Sequence, residues 1–299
     1  MTKTLNRQSL IYTLSAVFFW STVATAFKLA LNGMTYAQLL FYASLTSAVV
    51  LFIANYFSHG NNFKLLLNKE SFKKSLLLGL LNPFFYYMVL FKAYSLLPAQ
   101  EAQPLNYTWP IAISILSALF LKQKIGVKTI IGLITAFIGV VIIATHGDIS
   151  SLHFENIFGV SLALGSSIIW AAFWILNLLD HRENTIKLFG AFLIGTIYSA
   201  LYIFFFDSFM LDDFSYLFSA AYVGLFEMGI TFFLWNKGLQ LSTDKAKTST
   251  FAYLSPFLSL VFIALILKET ILPSSIVGLI FIIGGILYQH LGKRNTEPV

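Results

Sequence analysis

Long, uninterrupted apolar runs recur along almost the entire chain and constrain its fold more than any other feature. Each run is long enough to cross about 30 Å of hydrocarbon as an α-helix. Only 11% of the residues are charged, whereas a water-soluble protein carries about 25%. So few charges cannot coat a soluble particle of this size, and we therefore expect lipid to cover most of the surface.

We predict an all-α integral membrane fold of ten transmembrane helices. The expected spans lie near residues 9–31, 37–57, 75–96, 99–121, 128–145, 156–178, 187–206, 216–238, 248–267 and 273–291. The first follows Lys3 and Arg7, as the apolar part of a signal sequence would. It is too long for that role and lacks a small-residue cleavage site, so we expect it to be retained as a helix.

The basic residues predict the orientation in the membrane. Ten spans place both termini on one side. If that side is the cytoplasm, all of the 19 Lys and Arg residues except Lys28, Lys92 and Lys268 lie inside. This asymmetry follows the positive-inside rule, so we predict a multi-pass protein of the inner (cytoplasmic) membrane with both termini cytoplasmic.

The two halves of the chain resemble each other at an offset of about 145 to 150 residues. The aligned pairs include Trp20 and Trp170, Gly79 and Gly224, Pro110 and Pro256, Gly132 and Gly278, and Gly139 and Gly285. Since each half holds an odd number of spans, the second copy must be inverted. We therefore predict two inverted five-helix repeats, residues 1–147 and 148–299, an arrangement typical of secondary transporters with a substrate site near the midplane.

Several classes of chemistry are excluded or disfavoured. The chain has no Cys, so it holds no disulfide, thiolate metal site or catalytic thiol. The five His residues are scattered, and there is no phosphate-binding loop. We therefore expect no metal, no cofactor and no ATPase. An intramembrane enzyme would need paired carboxylates or a His cluster, and a receptor or scaffold would leave the repeat unexplained; both stay as disfavoured alternatives.

An acid inside a span is the first candidate for function, because inserting a charge into hydrocarbon costs about 2.5 to 3.5 kcal/mol. Glu227 lies near the middle of the eighth expected span. Thr231 and Trp235 follow at helical spacing and would form a polar and aromatic stripe with it. We interpret Glu227 as a cavity-lining coupling group or counter-ion; the alternative is a protonated acid that bonds a neighbouring helix.

Glu101 is a second acid, just inside the outer end of the fourth expected span. It could act in coupling, reach water, or pair with Lys92 across the short turn. The sequence leaves a structural role equally open, and it leaves the role of Lys28 open as well.

Prolines are expected inside the fourth and ninth spans, at Pro110 and Pro256. A proline in mid-helix removes a backbone donor and frees a carbonyl, which is tolerated where the helix lines a cavity. Asn106 and Tyr107 precede Pro110, and Tyr253 precedes Pro256. We predict both prolines as hinges and these polar neighbours as substrate contacts; the alternative is kinks that only shape packing.

Aromatic residues complete the expected site. Stripes at helical spacing on the first and sixth spans would line the path. Their members are Ser21, Thr25 and Lys28 on the first span, and Trp170, Trp174 and Asn177 on the sixth. Trp20, aligned with Trp170, and Trp109, beside Pro110, add further indoles. Their faces suit an aromatic or cationic ligand, although a single Trp is also a common packing or interface residue.

Glycines recur at seven-residue spacing on the fifth and tenth spans, at Gly132, Gly139, Gly278 and Gly285. Small residues let helices approach closely. We expect these spans to form a rigid scaffold or a dimer seam.

These motifs resemble the drug/metabolite transporter superfamily, in particular its EamA-type ten-helix members, over nearly the whole chain. The resemblance rests on Phe19, Trp20 and Ser21, on the proline-centred fourth and ninth spans, on Lys268 and Glu269, and on the Gly-rich fifth and tenth spans. Trp20, Ser21 and Thr22, the run from Asn106 to Pro110, and Lys122, Gln123 and Lys124 look most similar to the aromatic amino-acid exporter branch.

The resemblance implies a central cavity formed by helices one, three, four, six, eight and nine, to which Asn82 and Tyr86 on the third span would contribute. It also implies export of amino acids or related small metabolites by alternating access. Efflux of cationic drugs or quaternary amines is the alternative, with Glu227 as counter-ion. The expected partners are a small-molecule substrate and the lipid bilayer, with no nucleic acid, and the protein would be a monomer or homodimer.

Overall fold

The computed structural model describes residues 6–59, 68–120, 126–148, 156–243 and 248–290. Helices form all the regular secondary structure in these ranges, which contain no strand. The α-helices are α1 (Arg7–Leu31), α2 (Tyr36–His59), α3 (Lys69–Gly79), α4 (Tyr86–Leu96), α5 (Ala99–Asn106), α6 (Trp109–Phe120), α7 (Val127–Ala144), α8 (Ile157–Leu178), α9 (Asn184–Phe206), α10 (Tyr216–Phe226), α11 (Ile230–Leu241), α12 (Ser255–Phe262) and α13 (Pro273–His290). A π-helix, Leu80–Phe85, joins α3 to α4; a 3₁₀-helix, Thr250–Leu254, precedes α12 and a π-helix, Ile263–Leu267, follows it.

Among the described residues, eight helical segments are long and apolar enough to cross a membrane, and Pro273–Gln289 is a shorter apolar helix. This confirms the all-helical, multi-pass membrane fold. Tyr107 and Thr108 divide the fourth expected span into two short helices, α5 and α6. The count of ten spans stays a prediction, and Lys122, Gln123 and Lys124 lie outside the described ranges.

Asparagine side chains cap the N-termini of α1 and α8. The Asn6 side chain accepts a hydrogen bond from Gln8 N at 3.0 Å, and the Asn156 side chain accepts one from Gly159 N at 2.8 Å. Each satisfies a backbone donor that the first turn of a helix leaves free. The polar residues between apolar runs therefore set where α1 and α8 begin.

Helix α7 has one face exposed to lipid and an opposite face packed against the rest of the protein. Ile134 and Phe137 are more than half exposed, whereas Ala136 is fully buried and Gly139 is buried on the opposite side. An apolar exposed face is what a helix presents when its solvent is hydrocarbon. The small residues face the protein, and the large apolar residues face the bilayer.

Helices α7 and α13 pack backbone to backbone through the four glycines. A Cβ placed on Gly132 would lie 2.5 Å from the Gly285 carbonyl oxygen, and one on Gly139 would lie 2.5 Å from the Gly278 carbonyl oxygen. Glycine is required at these positions because any side chain would force the helices apart. The glycine faces pack within the chain, as a scaffold requires, so they are not available as a dimer seam.

Several contacts between helices have a counterpart when the two halves of the chain are exchanged. Helix α1 packs on α11 and α12, as α8 packs on α4 and on α5 and α6. Helix α2 packs on α10, as α9 packs on α3, while α2 with α9 and α7 with α13 form self-equivalent pairs. Two oppositely oriented copies of one five-helix unit would produce this pattern.

The glycine seam gives the first prediction. Replacing Gly285 with Ala should lower the free energy of unfolding by about 1 to 3 kcal/mol. The new Cβ would meet the Gly132 carbonyl oxygen and lie 2.9 Å from Ala136 N. Gly284 is the matched control because nothing lies within 4 Å of a Cβ there. Thermal unfolding of the detergent-solubilised variants measures the difference; equal melting temperatures for the two would contradict it.

Candidate functional site

Within the described residues, four spans lose regular α-helical geometry. They form two pairs, the third with the eighth and the fourth with the ninth, whose members occupy corresponding positions in the two halves of the chain. The third is interrupted at Asn82 (φ −143°, ψ 119°), and the eighth at Glu227, Met228 and Gly229, between α10 and α11. Asn82 and Glu227 are as far apart in sequence as Gly79 and Gly224. The fourth is interrupted at Tyr107 and Thr108, and the ninth changes from 3₁₀ to α-helix after Leu254. Three of the predicted site residues, Asn82, Tyr107 and Glu227, therefore lie at irregular backbone.

The structure corrects the expected place of two prolines. Pro110 and Pro256 are the second residues of α6 and α12, not mid-helix residues. A proline is tolerated in the first turn of an α-helix, because its missing N–H would have no partner within that α-helix. The change in backbone geometry lies on the N-terminal side of each proline, which is the side that its ring restricts.

The break in the eighth span is fixed by the neighbouring helix α2. A Cβ on Gly224 would meet the Ala43 carbonyl oxygen, so α10 packs on α2 without a spacer. Within the break, the Met228 carbonyl accepts a hydrogen bond from Ser47 Oγ at 2.9 Å, and both residues are buried. This donor from α2 satisfies a carbonyl that the interrupted helix leaves without a donor of its own.

Glu227 lies at this break and is half-buried. Its Oε1 accepts a hydrogen bond from Tyr87 Oη at 3.1 Å, and Tyr87 is fully buried on α4. In the part of the chain that the structure describes, no cationic side chain forms an ion pair with Glu227. A carboxylate that has one neutral hydrogen-bond donor and lies in a medium of low dielectric constant is strongly stabilised by any cation or proton that reaches it.

The break in the fourth span is tied to α8. Tyr86 Oη donates to Asn106 Oδ1 at 3.2 Å, and Asn106 Nδ2 donates to Ser166 Oγ at 2.8 Å. Thr108 Oγ1 lies 3.1 Å from Ser167 Oγ. Two consecutive serines of one helix thus supply the partners for the polar groups on either side of Tyr107.

Aromatic rings form a continuous row from the far part of α11 to Tyr86. Trp235 lies 5.2 Å from Trp20, and Trp20 lies 6.0 Å from Phe232, centroid to centroid. Phe232 is 6.3 Å from Trp170, which is 4.6 Å from Tyr86. Tyr86 then contacts Tyr87, the partner of Glu227, at 4.6 Å. These spacings are those of favourable aromatic pairs.

The residues selected from sequence fall into two groups that Tyr86 and Asn106 connect. Ring contacts link Trp20, Tyr86, Trp170 and Trp235, with Trp174 5.9 Å from Trp170. Asn82, Asn106, Tyr107, Glu227 and Tyr253 lie at or next to irregular backbone, and Tyr86 forms a hydrogen bond with Asn106. Asn82 is buried, and its Oδ1 has no hydrogen-bond partner among the described atoms. Tyr107 and Tyr253 are half-buried.

Other selected residues lie outside this cluster or point away from open space. Ser21 is fully buried and donates to Phe18 O on its own helix at 2.6 Å. Thr231 is fully buried as well. Trp109 is half-buried against the core but does not join the aromatic row. These three side chains therefore do not contribute to the cluster around Glu227 and the aromatic row.

Glu101 and Lys28 lie away from Glu227, near the ends of their helices. His146 Nε2 lies 2.8 Å from Glu101 Oε1, and this contact replaces the expected pairing of Glu101 with Lys92. Lys92 Nζ instead lies 4.8 Å from the Tyr36 ring centroid. Lys28 Nζ donates to Tyr94 O at 2.9 Å and to Leu97 O at 3.0 Å, so it caps the end of α4.

Several residues that form hydrogen bonds or ring contacts with the selected residues, or with their neighbours in the chain, were not predicted from the sequence. They are Ser47, Tyr87, Ser166, Ser167 and Phe232. The paired serines in an apolar span and the adjacent Tyr86 and Tyr87 were visible signals. Nothing in the sequence showed which helix each would face.

An apolar groove of about 550 Å³ lies between α6, α7 and α8. Ile115, Ile134 and Phe137 line it and are exposed. Thr108 and Ser167, from the break in the fourth span, also line this groove, whereas Glu227 does not.

Comparison with known proteins identifies the family. The model of the EamA-like transporter family matches residues 7–145 and 157–288. The chain belongs to this family. Membership indicates membrane transport of small molecules and not catalysis. The likeness to the aromatic amino-acid exporter branch stays a prediction.

Relatives and a solved structure agree with this membership. The uncharacterized transporter YvbV of Bacillus subtilis is 25% identical over 233 residues, which cover 77% of this chain and 75% of the relative. An uncharacterized transporter of Archaeoglobus fulgidus is 26% identical over 285 residues, 93% of this chain and 96% of the relative. A crystal structure 21% identical in sequence superposes with a TM-score of 0.66 over 96% of this chain and 99% of the other, which shows the fold alone.

The break at Glu227 gives the second prediction. Replacing Ser47 with Ala leaves the Met228 carbonyl without its donor and should lower the free energy of unfolding by about 1 to 2 kcal/mol. Ser44 is the control because it is equally buried but donates to Phe41 O on its own helix. Thermal unfolding is the measurement, and equal losses in the two variants would show that the bond to Met228 does not matter.

Proposed function

We propose that this protein is a secondary transporter that exports amino acids or related small metabolites across the cytoplasmic membrane by alternating access. The observation that carries the proposal is the position of Glu227. It is an acid at the break of a discontinuous span, beside a row of aromatic rings. Substrate sites of secondary transporters are built at such breaks, where helix ends and irregular backbone face a shared cavity.

The two halves act as inverted five-helix repeats in this proposal, residues 1–147 and 148–299. Two observations support the division. Several contacts between helices have a counterpart when the halves are exchanged. The break at Asn82 also corresponds in sequence to the break at Glu227. Rocking of one repeat against the other around the breaks would expose the site alternately to the two sides.

Glu227 is the group that we assign to substrate recognition and coupling. Among the described residues, Tyr87 donates the side-chain hydrogen bond that Glu227 accepts. A carboxylate so placed cannot stay ionised and unpaired in hydrocarbon at low cost. Either a proton or the ammonium group of a substrate neutralises it. Competition between the two would couple export of an amine to proton entry, with the apolar part of the substrate against Trp170 and Trp20.

Cationic drugs or quaternary amines are the second candidate substrates. One observation favours them: no cationic side chain lies against Glu227 among the described residues to receive the carboxylate of an amino acid. An aromatic row beside a single acid suits a cation that lacks an acidic group.

The orientation is part of the proposal. Basic residues concentrate in the connections assigned to the cytoplasm, which supports cytoplasmic termini and an inner-membrane location. A reporter fused to each terminus should show both on the cytoplasmic side. Termini on opposite sides would contradict the ten-span arrangement.

Transport by the purified protein in proteoliposomes tests the function and the substrate class together. Counterflow of labelled amino acids, and separately of a labelled quaternary amine, should show accumulation of one class over protein-free vesicles. Accumulation of the quaternary amine alone would select the second candidate. No counterflow of either class, with a responding transporter as control, would contradict the proposal.

Glu227 gives the third prediction. Replacing it with Gln keeps the size and the Tyr87 hydrogen bond but removes the charge, so transport of the accepted substrate should fall at least about tenfold, as for other functional ionisable groups within membranes. Folding should not suffer, because a buried charge is removed.

The matched control for this prediction is the replacement of Glu70 with Gln. The Glu70 side chain is 77% exposed and forms an ion pair with Lys74 one helical turn away. The Glu70 variant should therefore transport at the rate of the parent protein. An unchanged rate in the Glu227 variant would reject the assigned role.

A further inference from the structure

A segment from late in the chain covers the first turn of α5. Glu269 Oε1 accepts a hydrogen bond from Ala99 N at 3.0 Å, and Glu269 Oε2 accepts one from Gln100 N at 3.3 Å. The first N–H groups of a helix have no partner within it, and a carboxylate is favoured there by the helix dipole. Glu269 is therefore an N-terminal cap supplied from 170 residues away.

The Gln100 side chain in turn forms hydrogen bonds with the segment that follows Glu269. Its Nε2 donates to Thr270 O at 3.0 Å, and its Oε1 accepts from Leu272 N at 2.7 Å and from Ser275 Oγ at 3.1 Å. Gln100 is only 4% exposed. Both the nitrogen and the oxygen of its amide thus hold α5 against the turn that leads into α13.

Backbone geometry delivers Glu269 to this place. Lys268 adopts φ 56° and ψ 26°, the left-handed region, at the end of the π-helix Ile263–Leu267. A non-glycine residue in this region persists only where its surroundings require it. The turn at Lys268 sends the chain back across the end of the bundle, so that Glu269 faces α5.

We propose that Glu269 and Gln100, which we call the α5 lock, form the gate that closes this end of the substrate pathway. This inference rests on the proposed transport function. The α5 lock joins the fourth span to the turn after the ninth, and both spans run inward from it to their breaks at Tyr107 and Leu254. Alternating access requires the ends of these two spans to separate when the site opens to this side.

The chemistry of the α5 lock suits a contact that opens and closes. It consists of a few hydrogen bonds, and those that the Glu269 carboxylate accepts are charge-assisted. Water can replace such hydrogen bonds at a modest net cost in free energy. The seam between α7 and α13 is different, because its glycine faces pack backbone on backbone. We therefore infer that the packing between α7 and α13 stays intact during transport, whereas the hydrogen bonds of the α5 lock break and form again.

Cross-linking tests the gate directly, since the chain has no Cys of its own. Gln100→Cys and Ser275→Cys are combined and joined with a short bis-methanethiosulfonate reagent. Transport should fall at least about tenfold on cross-linking and return with reductant. Each single variant treated with the same reagent is the control. A cross-linked protein that transports at its uncross-linked rate would overturn the proposal.

A labelling experiment tests the same gate without any transport. Gln103→Cys places a buried reporter one turn inward of Gln100. Adding Glu269→Ala should raise its labelling by a membrane-impermeant maleimide at least about threefold. The control combines the reporter with Glu70→Ala, at an exposed position, and should label as the reporter alone does.

Labelling is measured in right-side-out and inside-out vesicles. A rise from the outside supports the gate and the proposed orientation. A rise from the cytoplasmic side supports the gate and reverses the orientation. Because no substrate is involved, either rise would stand even if the transport assays failed. Labelling that does not change from either side in a monodisperse Glu269→Ala protein would overturn the gate.

Discussion

In hydrocarbon every backbone donor and acceptor must find its partner inside the protein, and the rest of this structure depends on that constraint. A continuous helix meets it without help, whereas an interrupted helix needs a partner from a neighbour. Here Ser47 on α2 reaches the carbonyl of Met228, and Ser166 and Ser167 on α8 serve the polar groups around Tyr107. The interruptions are therefore stable only where these neighbours lie, which ties the site to the arrangement of the whole bundle.

The same constraint makes Glu227 informative. Hydrocarbon penalises an ionised acid, so an acid retained at a break must gain something from what it meets there. Tyr87 gives it one hydrogen bond and no charge. The aromatic row from Trp235 to Tyr86 lies beside it and contributes rings and no counter-charge. This combination leaves the compensation of the negative charge to a proton or a cationic group, which is why we link recognition and coupling in one residue.

Two kinds of contact divide the molecule mechanically. Between α7 and α13, glycines bring carbonyl oxygens against the opposite backbone, and such close packing has no alternative arrangement of similar energy. At the end of α5, Glu269 and Gln100 hold the chain by hydrogen bonds that can exchange with water. A transporter needs both kinds, because a fixed frame gives the moving part something to move against.

The sequence by itself determined the helical membrane fold, since apolar runs of this length and so few charges leave no other solvent. It also indicated Glu227, the aromatic residues and the two prolines, because an acid or a helix-breaking residue in an apolar run is conspicuous against its neighbours. Only the tertiary structure showed that Pro110 and Pro256 start helices, that His146 and not Lys92 contacts Glu101, and that Ser21 faces its own helix. Periodicity specifies a face of a helix but not which helix it meets, so the partners that satisfy a break depend on packing between residues far apart in the chain.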